Sequence, residues 1–592
     1  MPEFDNAAIG AMLDAMGDLL EVAGEDKFRY LSYHKAAHAV RAWPEDLSTL
    51  AEEGRLTDIP GVGKKLAVSI GQILETGSFP EYEAVKASFE PTLVRIMDIP
   101  GVGPKRARLL YEQVGVKSID DLEAALQQGR LVGLPGFGEK TIDNIASGIE
   151  SARRHAERIL LQDALPLATR LADELRRLPA VERAEPAGSV RRWQETIGDI
   201  DIITSSVQPQ AVMDEVCKLP MVVRVLGSGG TKTSIMTTAG LQVDVRVVDP
   251  AEYGAALQYF TGCKEHNVAL RERAKRMGLK VSEYGVFRVS NGERLGGETE
   301  DDVYRLLGLP TFPPEIRLGI GEIEAADEGR LPKLLRLKDI RGDLHGHTTS
   351  TDSKATLEDN RAKAAELGYE YIAVTDHAYN LRMVKGLEPE RIREQWEAVD
   401  RLNAEGAGPV ILKGIELNIA EDGSVDYDEE LLAGFDLCIA SLHGGFRDPR
   451  DKVTQRLLQA MENPYVDIIG HPTGRILGKR DPMDLDMDAV LRKAGETGTI
   501  MEINAYPDRL DLNDTHIRMA KRHGVRFSIG TDAHATEQMN YMPYGVATAR
   551  RGWLERRDVL NAQPLETVRR WLKRAKVAKR HGAPAESHGR RK

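Results

Sequence analysis

The chain has 592 residues, of which 29% are charged and 41% hydrophobic, and its formal net charge is -12. That length calls for about three to five domains, and the composition lets each bury a core, which excludes disorder and collagen-like structure. The acidic balance excludes a protein that holds nucleic acid by being basic overall, so any such contact must come from local patches.

Three cysteines, Cys217, Cys263 and Cys438, are too widely spaced for a disulfide framework or a cysteine-based zinc module. The start, MPEFDNAAIG, lacks the charged-then-apolar pattern of a signal peptide, and no apolar run approaches ~20 residues. The expectation is a soluble protein of a reducing compartment, the cytoplasm, without a membrane partner.

The first third is dominated by an internal repeat: DIPGVGKKLAVSI at 58–70, DIPGVGPKRARLL at 98–110 and GLPGFGEKTIDNI at 133–145. In each, Pro-Gly-x-Gly leads into an amphipathic helix. The glycine pairs Gly61/Gly63 and Gly101/Gly103 let the chain turn tightly with backbone N–H groups exposed, where the helix dipole favours an anion. Lys64, Lys65, Lys105 and Lys140 add positive charge, although Glu139 weakens the third copy. The pattern resembles the helix-hairpin-helix motif, which holds DNA backbone phosphates without reading bases.

TIGDIDIIT at 196–204 alternates with a strand's period, so Asp199 and Asp201 share one face while Ile200 and Ile202 pack behind. LQVDVRVV at 241–248 alternates in the same way and presents Asp244. Three carboxylates on neighbouring strands suit two hard divalent cations, which together activate an attacking hydroxyl and stabilise a leaving phosphate oxygen. Acid-x-acid alone is weak evidence, because about 14 such pairs arise by chance in a chain this acidic. The preceding Gly188-Ser189-Val190-Arg191-Arg192 strengthens it, since a Gly-Ser turn and a forked cation suit the far phosphates of a triphosphate.

GSVRRWQETIGDIDII resembles the nucleotidyltransferase signature of the family X DNA polymerases, to which polymerase beta belongs. YFTGCKEHNVALRERA at 259–274 is similar to that family's thumb, and VSEYGVFRV at 281–289 to the strand after it. The resemblance covers roughly residues 1–318. It implies that Asp199 and Asp201 bind two ions, magnesium or manganese, and that Asp244 binds the catalytic one and helps deprotonate the primer 3′ hydroxyl. Gly188, Ser189 and Arg192 would hold the triphosphate. Tyr259, Phe260, Thr261 and Gly262 would face the sugar, and Asn267 the base edge. Arg271 would lie along the template, and Lys232 in GGTKTSIM matches a DNA-contacting position. For Phe260 and Tyr284, a role as plain core aromatics stands beside contact with substrate. Where the family's lyase lysine belongs, this chain has Ser69, and a hydroxyl forms no imine. Deoxyribose-phosphate lyase activity is therefore expected to be weak or absent unless Lys65 or Lys35 substitutes.

Eight of the 14 histidines fall between His345 and His534. Seven short apolar runs there alternate with helical stretches, which argues for a parallel sheet closed or nearly closed into a barrel, and six of them end in a metal-type ligand. Only TIMEINA, at 499–505, shows no obvious ligand. The array resembles the PHP domain, whose nine metal positions are matched by His345, His347, Asp352, His377, Glu416, His443, His471, Asp532 and His534. The resemblance implies a three-metal cluster bridged by Glu416 and Asp532. Mixed imidazole and carboxylate ligation suits manganese, zinc or iron.

The expected architecture is multidomain. A helix-hairpin-helix domain (1–80) precedes fingers with two further hairpins (81–150), an α+β palm (151–250) and a thumb (251–318). A linker (319–338), an α/β distorted (βα)7 PHP barrel (339–575) and a basic tail (576–592) follow. The expected activity is gap-filling DNA polymerisation coupled to metal-dependent 3′–5′ exonuclease or 3′-end processing, with abasic-site cleavage a further possibility. Its partners would be gapped or primed DNA and deoxynucleoside triphosphates. Two alternatives stay open: a barrel that is only a metal-stabilised scaffold, and a small-molecule phosphatase fused to the polymerase.

Overall fold

A computed structural model describes residues 6–573 apart from 24, 42, 44–46, 88–95, 97–98, 100–101, 139–140, 144, 147, 150–157 and 382–383. Gly101, Glu139, Lys140 and the basic tail 576–592 therefore lie outside the described residues. Two compact units form, Met1–Glu157 and Arg158–Lys592. No helix among the described residues is long and apolar enough to cross a membrane.

The first unit is helical. The repeat builds the same turn three times: the N–H of Val62, Val102 and Phe137 reaches back to the carbonyl of Ile59, Ile99 and Leu134, at 3.0, 2.9 and 3.0 Å. The apolar residues of the repeat drive this, because Ile59, Val62, Ile99, Val102 and Phe137 are all buried. Gly61 at φ 86° and Gly136 at φ 83° take a backbone conformation that a side chain would strain. Gly63 and Gly103 cap the helices Lys64–Thr76 and Pro104–Leu109. Lys64 and Lys65 are exposed beside the first turn, and Lys65 is paired to Glu81 at 2.9 Å. Ser69 is buried and its hydroxyl donates to the Lys65 carbonyl, so it faces the core rather than a ligand.

The second unit begins with a five-stranded sheet, the palm. Its strands are β1 (Arg183–Pro186), β2 (Ile200–Ser205), β3 (Val222–Ser228), β4 (Lys232–Thr237) and β5 (Gln242–Val248), in the order β1-β2-β5-β4-β3. The central pair β2 and β5 is parallel, and its register sets Asp201 beside Asp244. Ile200, Ile202, Val243 and Val245 are fully buried against the helix Leu161–Arg176, each contributing about 1.5–3 kcal/mol. That burial fixes which face carries the acids. The thumb adds a three-stranded antiparallel sheet, β6 (Leu279–Ser282), β7 (Gly285–Arg288) and β8 (Arg294–Gly296).

Residues 319–338 are not a loose connection. Glu322, in the helix Glu322–Asp327, is buried, takes the N–H groups of Gly319 and Ile320, and pairs with buried His266 at 2.7 Å. Leu335 enters the core of the barrel.

All seven apolar runs form strands of one parallel sheet in sequential order: β9 (Gly342–Asp343), β10 (Tyr371–Val374), β11 (Val410–Asn418), β12 (Leu437–Ser441), β13 (Ile468–Ile469), β14 (Ile500–Asn504) and β15 (Phe527–Gly530). A bridge between Gly346 and Ala533 brings the segments after β9 and β15 together, so the sheet is nearly closed. The closing helix Leu565–Trp571 covers one end, with Val568 and Leu572 in a core cluster.

A buried carboxylate helps join palm and thumb. Glu300 holds Arg191 at 2.7 Å and Arg317 at 2.6 Å, and Arg317 has no solvent exposure. Burial pushes the Glu300 carboxyl up, but the two guanidiniums outweigh it and bring it down to about 2 from 4.5. A depressed folded-state value means the stabilisation is complete above pH 4.5 and disappears as pH falls towards 2; its size is roughly 3 kcal/mol. Glu300→Gln should therefore lower the urea-unfolding free energy at pH 7, and the gap to the parent should shrink steadily between pH 4.5 and 3. A gap independent of pH would refute the assignment.

Candidate functional site

The structure places most of the predicted polymerase residues around one open cavity of about 510 Å³, while Asp244 and Lys232 are not part of its lining. Gly188, Ser189, Arg192, Tyr259, Phe260, Gly262 and Asn267 all line it, together with Asp199, Asp201 and Arg271. Gly188 sits at φ 60°, and a Cβ there would lie 2.8 Å from Asp201 Oδ2, so only glycine lets this turn approach the carboxylate. Gly262, at φ 71°, lies against Arg192, where a Cβ would meet Nη1 at 3.0 Å. The Asn267 amide already donates to the Tyr259 carbonyl at 2.7 Å and accepts from Gln258 at 2.8 Å, which fixes it at the wall. Phe260 is half-buried under the Arg246 guanidinium, 4.3 Å above its ring. Tyr284 is 54% exposed, so the core reading of it fails. Arg158 also lines the cavity, braced on Thr196 by an Nε–Oγ1 bond of 2.9 Å. Sequence reasoning passed over it because it lies upstream of the motif, without a local signal.

Crowding of like charge defines this site. Burial, then Asp199 and Asp244, raise the Asp201 carboxyl to about 6. Burial also works on Asp244, but Lys232, Ser234 and Gln242 outweigh it, and its carboxyl lies below the usual range. The Lys232 ammonium stands 2.6 Å from Asp244 Oδ2. A protein cation thus stands against the third carboxylate, at a residue expected to meet DNA. Among the described residues, the three palm carboxylates do not converge as closely as the barrel ligands do. A donor set of oxygens that repel one another fits hard divalent ions.

In the barrel, ligand atoms of His347, Asp352, His377 and His534 lie within 4.8 Å of one another, as do those of His345, His347 and Asp532, and those of His377, Glu416 and His443. His471 joins through Glu416, with Nε2 2.9 Å from Oε1. Strand ends and the loops after them supply these residues, because each strand is buried on both faces and only its C-terminal end opens. His471 at φ 25° and Asp532 at φ 54° hold unusual backbone, a strain that recurs at active sites.

The orientation of the imidazoles tests whether cations fit. His345 Nδ1 donates to Glu502 Oε1 at 2.6 Å, leaving Nε2 3.6 Å from both Glu416 and Asp532. His443 Nδ1 donates to Asn418 Oδ1 at 2.7 Å, and its Nε2 faces Glu416 at 3.2 Å. Lone pairs then face carboxylate oxygens, an arrangement that only positive charge relieves. His345 Nε2 and His347 Nδ1 are buried without a hydrogen bond, and Glu416 Oε2 has His377 Nδ1 at 2.9 Å without hydrogen-bond geometry. Burial disfavours the charged form of His377, yet Glu416 and Asp352 raise it to about 10, the same demand met by a proton. These residues fit a cluster of borderline divalent ions.

In the barrel, Glu502 is a residue the sequence reading missed, in the run that showed no ligand. Besides His345 it accepts the His471 N–H at 2.6 Å, and Asn504 beside it donates to Asp532 at 3.0 Å. An acid inside an otherwise apolar buried strand was the available signal. Outer partners of this kind fix the tautomer and angle of a metal-binding imidazole. Glu502→Gln should cut metal retention and phosphoester hydrolysis by about 10–100-fold while primer extension persists, read by metal analysis beside both assays. Full metal content and unchanged hydrolysis would remove Glu502 from this role.

Comparison with known proteins agrees with this geometry. Residues 4–79 match a helix-hairpin-helix domain and 94–151 a SAM-like helix-hairpin-helix tandem; 256–318 match the DNA polymerase beta thumb, and 343–506 the PHP domain. The "DNA polymerase/3'-5' exonuclease PolX" of Bacillus subtilis (strain 168) is 36% identical over 565 residues, 95% of this chain and 98% of that protein. A probable phosphatase of Thermoanaerobacter sp. (strain X514) is 30% identical over 253 residues, 40% of this chain and 95% of its own. Rat DNA polymerase lambda is 27% identical over 356 residues, 53% of this chain and 56% of its own. With this coverage and these two centres, the chain belongs to the family X DNA polymerases that carry a C-terminal PHP domain.

Proposed function

We propose that this enzyme fills short gaps in DNA by nucleotidyl transfer in the palm and processes 3′ ends in the barrel. The observation that carries this reading is the presence, in one compact unit, of two separate cation-demanding centres, one beside a cavity sized for a nucleotide. In the palm, Asp199, Asp201 and Asp244 would hold magnesium or manganese. The nine barrel residues would hold manganese, zinc or iron, with three ions as the count that the three ligand groups favour. When bound, such ions make the attacking oxygen a better nucleophile and neutralise charge on the leaving oxygen.

The chain's own residues do the rest. Ser189, Arg192 and Arg158 grip the triphosphate, with Arg192 as a forked cation. Tyr259, Phe260 and Gly262 wall the sugar, with Tyr259 helping exclude ribonucleotides; Asn267 meets the base and Arg271 the template. Asp244 helps take the proton of the primer 3′ hydroxyl. Gly61, Gly63 and Lys65, with Gly103 and Lys105, present N–H groups and charge to backbone phosphates of gapped or primed DNA, and Lys232 would add a further contact to the DNA. Glu502 and Asn418 hold His345 and His443 with their second nitrogens directed at the cluster. The enzyme would trim as a 3′–5′ exonuclease or remove a 3′ phosphate, and cleave at abasic sites. It would work in the cytoplasm, at the nucleoid. Buried ligand atoms left without hydrogen bonds speak for a barrel that holds metal; hydrolysis of phosphoesters by the metal-loaded barrel separates an enzyme from a metal-stabilised scaffold.

On a one-nucleotide gapped duplex, Asp199→Ala should abolish extension and leave 3′ trimming intact, and His345→Ala should do the reverse. One substitution abolishing both reactions would refute two separate centres. Borohydride trapping with an abasic duplex should leave no covalent adduct on residues 1–157, since Ser69 is buried and cannot form an imine. An adduct at Lys65 or Lys35 would overturn that.

A further inference from the structure

The palm turn that carries Ser189 and Arg192 continues into Trp193, at φ 54°, and Glu195. Gln194 N–H bonds back to the Ser189 carbonyl at 3.0 Å, so this segment and the triphosphate turn form one piece. The Glu195 carboxylate is not directed at substrate. Arg475 grips it with both terminal nitrogens, Nη2–Oε1 at 2.7 Å and Nη1–Oε2 at 3.0 Å. Arg551 reaches the same Oε1 at 3.3 Å and donates to the Trp193 carbonyl. The side chains of Arg475 and Arg551 are 8% and 1% exposed. Asp514, 3.7 Å from Arg551, is the other acid in this network, and Arg518 also binds it at 2.8 Å.

Both arginines belong to the barrel, and Arg475 lies four residues beyond His471. Its Nε donates to the Arg509 carbonyl at 2.8 Å and its Nη2 to the Leu510 carbonyl. The loop it holds matters to the barrel site twice. Arg509 Nε stands 3.7 Å from Asp532 Oδ2, and Asp511 accepts the Thr473 N–H at 2.8 Å, two residues past His471. One guanidinium is thus bonded to the loop behind the triphosphate turn and to the loop beside the metal ligands. Two buried arginines share one palm carboxylate as their common partner, and removing a partner of buried charge is far costlier than removing a surface charge.

We infer that Glu195, with Arg475, is a positioning residue for both reactions: the palm carboxylate sets the barrel loop that bears Arg509, and the barrel arginine sets the palm turn that bears Arg192. The inference rests on the two-reaction reading above. It states that a palm substitution changes end trimming and a barrel substitution changes nucleotide binding, although neither side chain touches the substrate of the other site. Coupling of this kind is reciprocal for binding.

The test uses the full chain. Deoxynucleotide affinity is measured without turnover on a dideoxy-terminated primer, and kcat and KM for 3′ trimming on an oligonucleotide. Metal content and the melting curve are recorded beside them. Arg475→Lys keeps the charge but loses the fork, and should weaken nucleotide affinity about tenfold; Glu195→Gln should lower trimming kcat/KM by about the same factor, with metal content unchanged. The double variant should be no worse than the weaker single one, and Glu195→Asp, which keeps the charge, should recover part of both losses even if the glutamine variant does not fold. Effects confined to the substituted residue's own site, or a lowered melting temperature with both reactions intact per folded molecule, would overturn the inference. A parent protein lacking either reaction would instead overturn the functional reading.

Discussion

Carboxylates that cannot share a small volume without positive charge are the constraint on which this molecule is built. In the palm, parallel pairing of β2 with β5 sets Asp201 beside Asp244, and burial, with repulsion from Asp199 and then Asp244, lifts the Asp201 carboxyl to about 6. Lys232 supplies one cation at Asp244. In the barrel, Glu416 and Asp532 sit among imidazoles whose free nitrogens point at them. Both places are held open against repulsion by hydrophobic burial elsewhere: the palm by Ile200, Ile202, Val243 and Val245, the barrel by its seven apolar strands. The fold spends packing energy on arrangements that become favourable when ions arrive.

Charge also joins the parts. Glu300 ties Arg191 to Arg317, Glu322 ties the segment after the thumb to His266, and Arg550 reaches Glu315 at 2.8 Å. These pairs are largely shielded from solvent, so their geometry is specific in a way that exposed ion pairs are not. The palm and barrel meet around Glu195, where the Trp193 and Tyr544 rings also pack edge to face at 5.6 Å. A family in which polymerisation and end processing share one chain has reason to fix the relation of the two centres.

Much of this was legible in the sequence because the signals are local. Alternation in TIGDIDIIT names the inward residues, and the candidate barrel ligands other than Asp352 lie at or just past the end of an apolar run. The repeat at 58–70, 98–110 and 133–145 gives three like turns from three like segments. What was not legible depends on partners distant in sequence. Glu195 and Arg475 are separated by 280 positions; Glu195 lies inside GSVRRWQETIGDIDII, but nothing in that stretch names a partner so far along the chain. The Lys232–Asp244 pair depends on how β4 aligns with β5, where Ser234 rather than Lys232 stands opposite Asp244. Glu502 sits mid-strand, and its role appears only when His345 and His471, from two other strands, converge on it. Residues 319–338 read as a connection because proline, glycine and acid dominate them, yet Glu322 finds a buried histidine to pair with.

The central claim is that both centres gather cations at these side chains. A crystal of the full chain soaked in manganese and measured for anomalous scattering tests it directly. The account predicts peaks among the barrel ligands, bounded by Glu416 and Asp532, and peaks between Asp199, Asp201 and Asp244 with the Lys232 ammonium withdrawn from Asp244. A barrel without anomalous density, or a palm in which Lys232 still covers Asp244 at saturating manganese, would contradict it.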